Sequence, residues 1–188
     1  MIGELPKSLQ VNGHKYDIRT DYRDVLNIFQ AINDPEMKDS EKTYVMLYIL
    51  YSDFDQICTD DYQEAVNQAV RFIDGGTPEG SGSGSNNTKI LDWEQDEQMI
   101  FSAINKVAGC ETRNLPYLHW WSFLGFFNEI EEGLLSTVLL IRQKKSKKKP
   151  LEKWEREFYQ KNKAIVDLKE RLSPEEIVER EYYEDLLK

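Results

Sequence analysis

Cysteine and histidine are scarce here, with two of each in 188 residues. Cys58 and Cys110 have no C-x-x-C spacing, so there is no disulfide framework or zinc ribbon to read. The pair fits a reduced cytosolic setting, and both thiols are expected to be buried. His14 and His119 are far apart, and neither has a second histidine at ligand spacing, so no metal or cofactor is expected. Long apolar runs are missing as well. The run at 115–127 is followed by "NEIEEG", and the next, "LLSTVLLI", spans eight residues. Both fall short of the roughly 20 that cross a bilayer. The opening "MIGELPKSLQ" lacks a charged n-region and an apolar h-region, so no signal peptide is expected. There is no Walker-type phosphate loop, G-x-G-x-x-G, H-E-x-x-H or G-x-S-x-G. Asp53/Asp55 and Asp60/Asp61 lack the spacing of a calcium loop. Nothing points to an enzyme.

Acid outweighs base, for a net charge of −10. The imbalance is concentrated early: residues 1–76 hold 7 Lys/Arg against 14 Asp/Glu, and residues 77–188 hold 17 against 20. Such a chain is unsuited to binding DNA or anionic membranes broadly.

What is present reads as mainly α: a compact helical domain over 1–188 with a small N-terminal β-hairpin. "SLQV" and "HKYDI" flank Asn12-Gly13, a type I′ turn pair. A first helix is expected from Thr20 to Asp34-Pro35; "EKTYVMLYILY" fits either a strand or a buried helix, and its length and the cap-like Asp39-Ser40 favour helix. A third starts at Thr59, buries Tyr62, Ala65, Val66, Ala69, Val70 and Ile73, and stops at Gly75-Gly76. Residues 75–89 then read as a flexible Gly/Ser loop. Asp92 with Gln95 suggests a capping box, followed by a stripe of Trp93, Ile100, Ile104 and Val107 and a stop at Gly109. A helix follows Gly133 until Pro150, with a cationic end. "LEKWEREFYQKNKAIVDLKERL" has Leu151, Trp154, Phe158, Ile165, Leu168 and Leu172 at amphipathic spacing. Ser173, Pro174 and Glu176 open the last helix.

Two features stand out. In "YLHWWSFLGFF", residues 117–127, eight of eleven side chains are aromatic or large aliphatic. Laid on a helix from Tyr117 to Ile130 they cover nearly every side, leaving His119, Ser122 and Glu129 as a polar strip. That describes a central core helix or one that shows a second face to a partner. The other is "RQKKSKKK", with six cations in the eight residues Arg142–Lys149. It is either a solvated helix end favoured by the dipole or a docking site for an acidic partner segment. Nucleic acid is disfavoured by the overall charge.

The segments "MIGELPKSLQVNGHKYDIRTDYRDVL", "LDWEQDEQMIFSAINKVAGCE", "LHWWSFLGFF" and "IRQKKSKKKPLEKWEREFY" resemble the bacteriophage gene-product-fifteen family. These proteins are encoded in the structural gene clusters of long-tailed phages and prophages. The resemblance implies a non-enzymatic tail assembly chaperone in the bacterial host cytoplasm, acting on the tape-measure and tail-tube proteins. The alternative is a permanent structural component of the tail or neck. Self-association is open, and no membrane contact is implied. The family supplies no residue map. On chemistry alone the partner-binding candidates are Trp120, Trp121, Phe126, Phe127, Arg142, Lys144, Lys145, Lys147 and Lys148.

Overall fold

The computed structural model describes residues 3–76 and 89–186. The Gly/Ser loop expected at 75–89 lies outside the described residues, apart from Gly75, Gly76 and Lys89. Two strands, β1 (Ser8–Val11) and β2 (His14–Asp17), pair antiparallel in the register Leu9↔Tyr16. Asn12 and Gly13 both take positive φ, 46° and 87°, which matches the twist of the hairpin they close. Nine helices follow among the described residues: α1 (Tyr22–Ile32), α2 (Asp39–Leu50), α3 (Tyr62–Ile73), α4 (Glu97–Ala108), α5 (Trp120–Asn128), α6 (Leu134–Ser146), α7 (Lys153–Lys161), α8 (Lys163–Val166) and α9 (Pro174–Leu186). The fold is mainly α with an N-terminal hairpin.

Several boundaries differ from the expectation, each for a tertiary reason. The cap of α1 is Asp21 rather than Thr20: its carboxylate accepts from Arg23 N and from Leu118 N. Tyr117 to His119 are not helical, because backbone bonds from Tyr22 N to Leu118 O and from Trp120 N to Thr20 O hold that segment against the start of α1. The helix therefore begins at Trp120, capped by His119, whose Nδ1 accepts from Trp121 N at 3.0 Å. With Nδ1 accepting, the ring proton sits on Nε2, which donates to Pro6 O at 2.9 Å. His119 is thus buried, with both ring nitrogens bonded.

Helix α4 begins at Glu97, five residues beyond Asp92. Asp92 caps a preceding turn by accepting from Glu94 N and Gln95 N. The Gln95 side chain does not reach back to Asp92. It spans to Asp167 O and Lys169 N instead. The single helix expected from Leu151 onward breaks at Asn162 into α7 and α8, and 167–173 is not helical. Trp154 is exposed there, whereas Glu155 is fully buried. Val70 and Val107, expected on buried stripes, are exposed, and Phe72 takes the buried place on α3. Cys58 and Cys110 are free and exposed, not buried, and both lie in connections between helices.

The main core is aromatic. Tyr22 of α1 and Phe123 of α5 stack at 4.6 Å with an interplanar angle of 3°. Trp120 stacks on the same Phe123 ring, and Trp93 fills the space between Phe29, Trp120 and Phe127. A smaller cluster of Val138, Ile141 and Val166 joins α6 to α8, with Met99 packed against both clusters.

Candidate interaction surfaces

Trp120 and Trp121 share one task and differ in exposure. The last carbonyls of a helix have no partner within it. At the end of α3, Ile73 O accepts from Trp120 Nε1 and Phe72 O from Trp121 Nε1, both at 2.8 Å. The two indoles thus cap α3 from across the fold. The chain leaves that end through Gly76, at φ 80°, where a Cβ would lie 2.8 Å from the Trp121 ring. Trp120 is completely inside, at 1% exposure, while Trp121, Phe126 and Phe127 are half-buried.

The lysine run divides sharply. Arg142 is buried and uses all five of its N–H donors. Its Nη atoms grip Asp96 at 2.5 and 2.9 Å. The remaining three bonds go to Val166 O, Ile165 O and Ile90 O. This group fastens α6 to α8 and to the approach to α4. Lys144 pairs with buried Glu155 at 2.5 Å and holds its carboxyl below the usual range, against the opposing effect of burial. Lys145 bonds Asp167 and lies 3.9 Å from the centroid of Tyr159. Trp120 and Arg142, both expected among partner-binding residues, therefore offer no surface to a partner. Lys147, Lys148 and Lys149 remain exposed, just beyond the end of α6.

A groove that the sequence reading missed opens at the other end of α6. It encloses about 740 Å³ between α4 and the α5–α6 connection. Its lining combines the apolar Met99, Ala103, Val107, Ile130 and Leu134 with the charged Glu129, Glu131, Glu132 and Lys106. The sequence did carry a signal, the acidic "NEIEEG" placed between two apolar helices. Two further exposed apolar features are Trp154 near the start of α7 and the helix α9. On α9, Ile177, Val178, Tyr182, Tyr183 and Leu186 all face solvent.

Among the described residues no three His, Cys, Asp or Glu side chains converge as a metal site, and no helix is long and apolar enough to cross a membrane. Fold and surfaces together define a helical protein whose exposed features are apolar and charged patches. The chain belongs to the family described as Bacteriophage Gp15 protein, whose model matches residues 1–168. The match ends just after α8, so α9 lies beyond it. No curated protein and no solved structure matches the chain.

Proposed function

We propose that this protein is a non-enzymatic tail assembly chaperone that engages the tape-measure protein in the host cytoplasm during tail morphogenesis. Membership of a bacteriophage family supports a phage role. The observation that carries the binding role is α9. A helix of 13 residues is marginal alone in water and gains most of its stability by packing an apolar face. Yet α9 leaves Val178, Tyr182 and Leu186, spaced one turn apart, exposed alongside Ile177 and Tyr183. An exposed apolar row of this kind suits packing against a long helical client, and the exposed lysines beyond α6 add charge that speeds encounter with acidic segments.

The test is co-purification from infected cells, with mass spectrometry of the bound proteins and of the mature particle. The chaperone reading expects the tape-measure protein among the partners and no copies of this chain in finished virions. Removal of residues 174–186 should release the client and leave the melting of the remainder intact. Stoichiometric presence in purified virions would instead establish a permanent component of the tail or neck.

A further inference from the structure

The two ends of α6 complement one another in charge and shape. At its start lie the apolar groove and Glu129, Glu131 and Glu132, all exposed. Beyond its end lie Lys147, Lys148 and Lys149, also exposed. Among the described residues none of these six side chains takes part in an ion pair. Five residues after Lys149 in the chain comes Trp154, 49% exposed and steadied by its Nε1 donating to Glu152 Oε2 at 3.0 Å. Lys153 and Arg156 flank it and are exposed as well. The lysine end therefore carries a large apolar side chain near several exposed cations, with Glu152 bonded to it, and the groove is an apolar hollow whose lining includes three glutamates and Lys106.

We propose that the groove receives the lysine end of a second copy of this chain, with Trp154 seated on its apolar lining and the lysines facing the three glutamates. One molecule cannot make this contact with itself. The 13 residues of α6 set the two ends about 20 Å apart, at 1.5 Å per residue. That is more than two Debye lengths of about 8 Å, so the patches do not neutralise each other within one chain. The groove volume of about 740 Å³ lies in the range of pockets that enclose a ligand much larger than an indole. Trp is enriched among the residues that dominate interface energies when seated in such hollows. The acidic helix α9 is the poorer occupant, since Glu175, Glu176, Glu179 and Glu184 carry the same charge as the groove's own glutamates. The contact joins two different patches, so copies meet head to tail or exchange both contacts in a closed pair.

This assignment does not depend on the chaperone role, and its test uses the purified full-length protein alone. Sedimentation velocity should show the mass rising above the monomer with concentration at low salt, and less so at high salt. Glu131→Lys with Glu132→Lys should weaken self-association by roughly a hundredfold, because like charges then face each other. Lys148→Glu with Lys149→Glu should do the same. An equimolar mixture of the two double variants should associate again. Trp154→Ala should weaken association roughly tenfold without altering charge. All these positions are exposed, so circular dichroism and melting should be unchanged, and Trp154→Ala carries the test if a charge reversal disturbs folding. A wild-type protein that stays monomeric at every concentration overturns the proposal. So does association that ignores these substitutions, or groove variants that abolish binding of a different phage protein while self-association persists.

Discussion

Replacing Arg142 with methionine is expected to be among the most destabilising single changes in this protein. The guanidinium forms five bonds, two to Asp96 and three to backbone carbonyls of Ile90, Ile165 and Val166. Methionine keeps much of the apolar volume and removes every donor. Asp96, with no exposed surface, then keeps only the N–H of Asp92, at 3.0 Å. Removing one partner of a buried ion pair costs about 3–5 kcal/mol, because the other charge stays desolvated. The three carbonyls that lose their donor place the expectation in the upper half, about 4–5 kcal/mol. For a chain of this length that lowers the melting temperature by about 10–15 °C. Thermal and urea unfolding followed by circular dichroism read it directly. Lys148→Met, in the same run but exposed, should stay within about 0.5 kcal/mol of wild type. If Arg142→Met costs less than about 1 kcal/mol, or no more than Lys148→Met, the reading of Arg142 as a structural clasp is refuted.

Other expectations follow from the core and its caps. Trp120→Ala should cost about 3–5 kcal/mol by urea unfolding, since it leaves a cavity and orphans Ile73 O. Gly76→Ala should cost about 2 kcal/mol, because it places a side chain at positive φ and drives a Cβ against the Trp121 ring; wild-type melting would show that Trp121 can yield. Asp92 should impose an acid limit on stability. Burial alone would raise its pKa, but the Gln95 N–H, Lys89 and Arg171 outweigh that and take it from 3.8 to about 2. A folded-state pKa lowered in this way contributes about 2 kcal/mol above pH 4, which is lost as pH falls toward 2. Unfolding measured across that window should show a shallower loss for Asp92→Asn, and an identical profile would refute the assignment.

Elements whose cause lies within a few residues were legible in the sequence. Asn12-Gly13 closes the hairpin because both residues tolerate positive φ. Gly109 ends α4 in the left-handed conformation, at φ 69°. Ser173 and Glu176 exchange the two bonds of a capping box at the start of α9. The aromatic run at 117–127 was legible as apolar material, and family membership could be read from the combination of its segments. Contacts between distant residues decided the rest. The start of α5 at Trp120 depends on backbone bonds to Thr20 and Tyr22, almost a hundred positions earlier. In the lysine run, periodicity treats all six cations alike. Only the folded chain brings Asp96, Glu155 and Asp167 to three of them and leaves Lys147, Lys148 and Lys149 exposed. The groove by Glu129, Glu131 and Glu132 exists because α4 passes beside the α5–α6 connection. Local rules fix backbone conformation, since steric and capping energies act over one turn. Which charges are buried and which face solvent is set by where the chain returns, and that is a property of the tertiary structure.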